Sequence, residues 1–198
     1  MPVPEVVRRA ARAAAALGLA ASAGFAPAQP APDARLQACM ACHGPGGNSQ
    51  IPGTPSLAGQ PRIFIENQLV LIREGLRDIP QMKGLLDGVP DAEIRAMAQY
   101  FSAQRPAAPG GTVDRASVQR GQALAGRLLC GSCHLPDYSG REQVPRLAGQ
   151  QEAFLVQSMK EFRDRPGPGR DTIMAATLRG LGDQDLADLA HFLAHFAP

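Results

Sequence analysis

Residues 39–43 read CMACH, and residues 130–134 read CGSCH. In each stretch two cysteines stand three positions apart, and a histidine follows the second cysteine directly. Because residues i and i+3 lie on one face of a helix, about one turn apart, each stretch can present two thiols and an imidazole together. The spacing therefore predicts one kind of chemical site that occurs twice in the chain.

Four kinds of site use a Cys-x-x-Cys pair. A disulfide suits an exported protein but does not require the histidine, and a thioredoxin-like site expects a βαβ context, whereas no alternating strand pattern is visible here. Zinc takes about four ligands together, and each stretch offers three. Covalent haem attachment is the fourth, and Cys-x-x-Cys-His is its signature. We therefore expect two covalently bound haem c groups, with thioether bonds from Cys39, Cys42, Cys130 and Cys133 and proximal iron ligands from His43 and His134.

Residues 1–28 have the pattern of a secretory signal peptide: three arginines, an uncharged apolar run over 13–25, and small residues before a cleavage point after Ala28. The alternative is a retained membrane anchor, but a span needs about 20 apolar residues, and this alanine-rich run is broken by Pro27. No other segment is long enough to span a bilayer. We expect the mature chain to be exported to the periplasm, and to be soluble there or held peripherally at the membrane by a partner.

The charges are balanced. The chain has 20 basic and 18 acidic residues, of which the predicted signal peptide contains three arginines and one glutamate, so the mature chain is neutral. Without a basic stripe, the sequence does not support nucleic-acid binding. Large apolar residues are scarce, with seven Phe, two Tyr and no Trp. Since a domain of ~60–80 residues buries only about 60% of its unfolded surface, a large apolar cofactor would complete the core.

The chain contains an internal repeat. The tetrapeptide LAGQ occurs at 57–60 and again at 147–150, and the two cysteine motifs are separated by nearly the same interval. Between the copies lies a Pro/Gly/Ala-rich stretch, QRPAAPGGTVD, that is typical of a linker. We therefore expect an N-terminal domain over 29–103, a linker over 104–114 and a C-terminal domain over 115–198.

Within each copy the apolar residues recur with a helical period. Ile65, Leu69 and Ile72 stand at i, i+4 and i+7, which indicates a one-faced helix. Asp91 and Asp183 precede two further stripes of this kind, where an acidic residue favours the start of a helix. The sequence predicts an all-α fold of two tandem domains, each about three helices with long loops, wrapped around a covalently attached haem.

A haem iron has a sixth position, and methionine is one of its usual ligands. Met82 and Met174 occupy equivalent places before the last helix of each copy, where a loop could fold the side chain over the haem. The alternative is that they are core methionines, like Met97 and Met159 on the apolar helical stripes. The spare histidines, among them His191, both lie in the second copy, so neither can serve the first haem.

The proximal histidine also needs a partner for its other ring nitrogen. A ligating imidazole usually donates that N–H to a carbonyl or a carboxylate. Pro55 and Pro145 stand at the head of PSLAG and PRLAG, at similar distances after the two motif histidines. Their carbonyl oxygens are candidate acceptors, and the alternative is that each proline only shapes a turn.

The runs CMACHGPGGNSQIPGTPSLAGQ, REGLRD and DAEIRAMAQYFSAQ resemble the first half of a cytochrome c4, and CGSCH, PRLAGQ, EFRDRPGPGRDTIM and DQDLADLAHFL resemble the second half. The resemblance covers residues 33–196. It implies two class I cytochrome c domains related by a pseudo-two-fold, haem propionate edges that face across the interface, His/Met ligation and electron transfer outside the cytoplasmic membrane. The second copy departs from the pattern at LPDYSGREQ (135–143), where the family has a glycine-rich loop.

Two six-coordinate haems leave no position for a substrate, so we expect an electron carrier and not an enzyme. Its donor would be a quinol-oxidising complex or a dehydrogenase, and its acceptor a terminal oxidase. One alternative is a cytochrome subunit bound tightly to a periplasmic dehydrogenase. Another is a dihaem peroxidase, which would need an open iron position and distal acid–base groups.

Overall fold

The structure is a computed structural model that describes residues 34–108 and 110–197, so the predicted signal peptide lies outside the described residues. Within those ranges the regular structure is helical, and the only strand-like feature is an isolated antiparallel bridge between Arg141 and Val144. No described helix combines the length and the apolar character that a membrane crossing requires. The prediction of an all-α fold is confirmed.

From residue 34 onward, the first copy has three α-helices, as predicted: α1 Ala34–His43, α2 Arg62–Arg73 and α3 Asp91–Ser102. Two short 3-10 turns, Pro45–Gly47 and Pro80–Met82, lie in the loops between them.

The second copy is divided more finely, into α4 Arg115–Arg127, α5 Cys130–His134, α6 Glu152–Asp164, α7 Thr172–Leu178 and α8 Asp183–Ala194. Leu129 has a left-handed backbone, with φ 55° and ψ 34°, and separates α4 from the cysteine motif in α5. The expectation of about three helices holds for its longer helices, to which the two short helices α5 and α7 are added.

Local sequence explains several helix starts. Helices α3 and α8 begin at Asp91 and Asp183, whose negative charge interacts favourably with the amino end of a helix. Helix α4 begins after the predicted linker, where the Asp114 carboxylate accepts a hydrogen bond from the backbone N–H of Ala116 at 2.9 Å. Asp171 caps α7 in the same way.

Each copy has its own hydrophobic core. In the first copy, residues of α1, α2 and α3 surround Ile94 and Phe101, which are both 1% exposed. In the second copy, α4, α6 and α8 pack around Leu186 and Leu189. Two separate cores fit the two repeated units of the sequence.

The two copies meet through the repeated LAGQ segments. The Gln60 side chain donates to the carbonyl of Arg146 at 2.9 Å and accepts from its N–H at 3.0 Å. The Gln150 side chain donates to the carbonyl of Ser56 at 2.9 Å and accepts from its N–H at 2.7 Å. Gln60 is equivalent to Gln150 and Ser56 to Arg146, so the contacts are reciprocal, as in a two-fold arrangement.

Candidate functional site

The two cysteine motifs occupy helical segments of different length. Cys39 and Cys42 lie in the last two turns of α1, whereas Cys130 and Cys133 form most of the short helix α5. In each motif the first cysteine is half-buried and the second is exposed. All four cysteines are among the described residues, and no disulfide joins any two of them.

Both motif histidines are buried, with His43 9% and His134 4% exposed. The Nδ1 atom of His43 lies 2.8 Å from the carbonyl oxygen of Pro55, and that of His134 lies 2.9 Å from the carbonyl oxygen of Pro145. A carbonyl only accepts, so Nδ1 carries the proton and donates. The structure thus brings each histidine to the proline that the sequence indicated.

This arrangement leaves Nε2 of each ring with its lone pair. Burial lowers the pKa of both His43 and His134, and the hydrogen bond to the proline carbonyl opposes that effect only in part. The rings are therefore held neutral, in one tautomer and one orientation. That is the state in which an imidazole binds a metal ion.

Met82 and Met174 lie in equivalent positions but in different local structure. Met82 ends the 3-10 turn Pro80–Met82, whereas Met174 lies in the first turn of α7, so the expectation of a loop at Met174 is wrong. Both side chains are partly buried and pack against the core of their own copy. Met97 and Met159, by contrast, are 2% and 7% exposed on helical core faces.

The departure after His134 has a structural explanation that sequence analysis missed. Gly44 and Gly47 have positive φ angles of 77° and 81°, and in the second copy Leu135 and Tyr138 take the same places with φ 69° and 54°. The left-handed backbone is therefore kept without glycine, at a cost of about 1–3 kcal/mol per residue. Aligning the two sequence copies at His43 and His134 would have paired Gly44 with Leu135 and Gly47 with Tyr138.

Tyr138 also keeps the hydrogen bonds of the residue that it replaces. The carbonyl of Gly47 accepts from two successive N–H groups at 2.7 and 3.1 Å, and that of Tyr138 does so at 2.9 and 3.2 Å. A side chain at Gly47 would meet the ring of Phe101 at 2.8 Å. In the second copy the Tyr138 ring packs edge-to-face on Phe192 and Phe196, with ring centroids 5.6 and 4.9 Å away. The loop thus keeps its backbone path and gains a core side chain.

His191 is engaged away from the motif histidines. Its Nδ1 lies 3.0 Å from a carboxylate oxygen of Glu152, and its Nε2 accepts the backbone N–H of Asp114 at 2.9 Å. His195 donates from Nδ1 to the His191 carbonyl at 2.9 Å. Because both His191 nitrogens have partners, this network ties α6, α8 and the start of α4 together and leaves His191 no lone pair for a metal ion.

Two arginine guanidinium groups lie near each other at the contact between the copies. Arg77 and Arg170 come from corresponding loops, and burial together with the charge of Arg170 lowers the pKa of the Arg77 guanidinium. Gly169 adjoins the Leu76 carbonyl so closely that a Cβ there would lie 2.4 Å away. Glu161 pairs with Arg170 at 2.7 Å.

The donor sets fit covalent haem. Each copy holds two cysteine thiols one helical turn apart, a buried neutral imidazole fixed by a carbonyl, and a partly buried methionine thioether. Thiols, imidazole and thioether are the groups that attach and ligate a haem. Both copies supply the complete set from their own residues.

Sequence comparison with known proteins leads to the same kind of site. The family profile described as "Cytochrome c" matches residues 118–197, and that described as "Cytochrome C oxidase, cbb3-type, subunit III" matches residues 33–101. Cytochrome c4 of Azotobacter vinelandii is 32% identical over 196 residues, covering 89% of this chain and 91% of that protein. The thiosulfate dehydrogenase electron acceptor of Thiomonas intermedia is 31% identical, covering 90% of this chain and 86% of that protein.

The fold comparison gives the same family. The crystal structure of reduced cytochrome c4 from Pseudomonas stutzeri superposes with a TM-score of 0.76 at 30% identity, covering 82% of this chain and 95% of that one. The chain has two successive cytochrome c domains, and its relatives match it over nearly their whole length at about 30% identity. These findings together assign the family. The chain belongs to the cytochrome c4 family of dihaem electron-transfer proteins, and its cofactors are two covalently bound haem c groups.

Proposed function

We propose that this protein carries electrons in a periplasmic respiratory chain, from a quinol-oxidising complex or a dehydrogenase to a terminal oxidase. The observation that supports this most strongly is that both copies hold the same donor groups. Each copy has its own carbonyl-oriented histidine and its own partly buried methionine. Two six-coordinate irons suit repeated one-electron oxidation and reduction and offer no position for a substrate.

The role of each residue follows from its chemistry. The cysteines would attach the haem groups through thioether bonds, and the histidines would bind the irons through Nε2, while Nδ1 donates to the proline carbonyl. The methionines would supply a neutral, soft sixth ligand, which would stabilise Fe(II) relative to Fe(III) and raise the reduction potential. The first site uses Cys39, Cys42, His43, Pro55 and Met82, and the second uses Cys130, Cys133, His134, Pro145 and Met174.

The arginines at the domain contact support the placement of the propionates. Arg77 and Arg170 bring two cations together, and Glu161 supplies only one negative charge between them, so this group keeps a net positive charge. Haem propionates are anionic, so propionate edges that face this contact would offset the repulsion. Electron exchange between the two domains would then pass through this contact.

The second candidate is a cytochrome subunit that is held by a periplasmic dehydrogenase. The specific support is the relative from Thiomonas intermedia, which is named for accepting electrons from thiosulfate dehydrogenase. Both candidates use the same two haem sites and differ in the lifetime of the complex with the donor. Purification from the native periplasm separates them, because a bound subunit elutes with its dehydrogenase. A dihaem peroxidase has less support, since each copy offers a partly buried methionine that would fill the sixth position.

We also place the domain boundaries at 29–103 and 115–198, with a linker over 104–114 and a cleaved signal peptide over 1–28. The separate cores and the cap of α4 at Asp114 support these limits. The haem sites and the signal-peptide boundary are tested by intact mass and a redox titration followed by absorbance on periplasmic protein. We expect a chain that starts at Gln29 with two added haems, and a long-wavelength thioether-to-Fe(III) band that disappears in two one-electron steps. A mass without two haems, or a high-spin spectrum, would contradict it.

A further inference from the structure

The two LAGQ glutamines contact a particular peptide group in the opposite copy. The carbonyl of Pro55 accepts from Nδ1 of His43 at 2.8 Å. The N–H of the same peptide group belongs to Ser56, and it donates to Oε1 of Gln150 at 2.7 Å. One peptide group therefore links the imidazole of the first copy to an amide side chain of the second.

The same chain of hydrogen bonds runs in the other direction. The carbonyl of Pro145 accepts from Nδ1 of His134 at 2.9 Å, and the N–H of that peptide group, from Arg146, donates to Oε1 of Gln60 at 3.0 Å. Since the two series of hydrogen bonds use equivalent residues, the same arrangement occurs twice in the protein. Each histidine is connected to the other domain through a single peptide group.

Both glutamines are buried, with Gln60 5% and Gln150 6% exposed. Away from water, hydrogen bonds in series polarise one another. A peptide N–H that donates to an amide oxygen places more negative charge on its own carbonyl oxygen. That carbonyl then accepts more strongly from the imidazole, which raises the basicity of the ring toward the iron.

We propose that Gln60 and Gln150 are positioning residues that set the reduction potential of the haem in the opposite domain. A more basic imidazole stabilises Fe(III), so each glutamine lowers the potential of the haem across the interface. Docking of the domains and the potentials are thereby coupled. This inference rests on the proposed ligation by His43 and His134.

The test replaces each glutamine by methionine, which has a similar length and lacks the amide. In Gln150→Met, the potential of the haem on His43 should rise while that of the other haem changes little. In Gln60→Met, the potential of the haem on His134 should rise instead. Haem-methyl NMR signals at intermediate redox poise follow the two haems separately. In the reduced protein, the Nδ1–H resonance of the affected histidine should also move upfield.

Gln151→Met is the matched control. The Gln151 side chain also crosses the interface, where it donates to the carbonyl of Ser49 at 2.5 Å, but it does not touch either proline peptide group. The methionine variant loses this side-chain contact but keeps the backbone N–H of Gln151, which donates to Oε1 of Gln150 at 2.8 Å, so both potentials should stay near those of the wild type. The proposal would be overturned by equal shifts of the reduction potentials in all three variants. It would also be overturned if the potential of the mutated domain's own haem shifted, or if neither glutamine variant changed a potential.

Glutamate variants give a second test if the methionine variants fail to fold. Gln150→Glu keeps an oxygen acceptor for the Ser56 N–H, replaces the donor to the Ser56 carbonyl by a second acceptor, and adds a negative charge, which also acts to lower the potential. The potential of the haem on His43 should then stay at or below the wild-type value, and a rise would overturn the proposal. The wild-type spectrum separates the two levels of inference. A low-spin His/Met spectrum without cross-domain shifts refutes the glutamine role alone, whereas the lack of such a spectrum refutes the ligation.

Discussion

Gly121 in α4 lies directly against the backbone of Asp188 in α8, so close that a Cβ on Gly121 would stand 2.1 Å from the Asp188 carbonyl oxygen. It would also lie 2.7 Å from Cβ of Phe192. Glycine is therefore what allows the first and last helices of the second domain to cross at this distance. The contact makes the second core sensitive to a single methyl group.

Gly121→Ala should destabilise the second domain by about 3 kcal/mol, because the backbone of α8 must move to admit the methyl group. Gly126→Ala in the same helix is the control, since no atom lies within 4 Å of a Cβ at Gly126. That change should stabilise the domain by about 0.5–1 kcal/mol through helix propensity. Denaturant unfolding followed by far-UV circular dichroism measures both, and equal effects would contradict the close contact.

Asp188 makes the stability of the second domain depend on pH in the acidic range. Its buried carboxylate accepts from Arg120 at 2.6 and 2.8 Å and from Ser117 at 2.5 Å. These contacts, led by the Arg120 hydrogen bond, hold the pKa of Asp188 well below its usual range. A depressed folded-state pKa gives stability that is complete above the unfolded value of about 4 and is lost as the pH falls below it.

Asp188→Asn should therefore cost about 2 kcal/mol at pH 7, and stability should fall less steeply below about pH 4 than in the wild type. Asp183→Asn, at an exposed carboxylate paired with Lys160, is the control and should cost less. Thermal unfolding between about pH 2.5 and 7, a range that spans the unfolded pKa of an aspartate, measures both. A wild-type slope in the Asp188→Asn variant would show that other carboxylates control the acid transition.

Met82→His should keep its haem low-spin and lower its potential, because imidazole is a better donor to Fe(III) than a thioether. Met174→His should do the same to the other haem alone. Met97→Leu conserves volume at a buried site and should cost under ~1.5 kcal/mol with unchanged spectra. The thioether-to-Fe(III) band and the redox titration are the measurements. If Met174→Ala leaves both bands intact, Met174 is a core residue.

Leu135 is the residue directly after His134, and its φ of 69° and ψ of 156° lie in a region that is nearly restricted to glycine. Leu135→Gly should relieve this strain and stabilise the second domain by about 1 kcal/mol after the loss of a half-buried side chain. The reverse change in the first copy, Gly44→Leu, should prevent folding, since a Cβ there would lie 2.0 Å from the Asn48 carbonyl oxygen. Thermal unfolding measures Leu135→Gly, and far-UV circular dichroism together with the haem content shows whether Gly44→Leu folds.

A fragment of residues 115–198 behind a signal peptide should bind one haem and fold, because the second core draws on its own residues. It should be less stable than the full chain, since Gln150 loses the Ser56 backbone and Arg146 loses Gln60. Intact mass and thermal unfolding test this. A fragment that binds haem without folding would show that the interface is required for the domain.

Sequence reasoning reached the features that depend on local chemistry and spacing. The Cys-x-x-Cys-His motifs, the repeat and the helical stripes predicted two helical haem domains, and the proline carbonyls were found where expected. Features that depend on backbone conformation were not visible. Leu129, Leu135 and Tyr138 adopt positive φ angles that their residue types do not indicate, so the division of α4 from α5 and the loop after His134 were missed.

The glutamine contacts were missed for a different reason. The sequence shows LAGQ as a repeated motif, but it does not show whether its glutamine side chain bonds within its own copy or to the other copy. Gln60 and Gln150 each bond to the backbone of the other copy, a long-range pairing that only the packed halves reveal.

The reciprocal bonding has a consequence for the ancestry and redesign of such chains. When residue i of one half contacts residue j of the other and the reverse contact is also made, the surface is self-complementary, as in a symmetric homodimer. A single-domain cytochrome with the same surface could pair with a second copy of itself, and the linker turns that encounter into an intramolecular one at high effective concentration. In the fused chain, a change in either motif alters a contact surface belonging to both halves, so the two copies are constrained to diverge together.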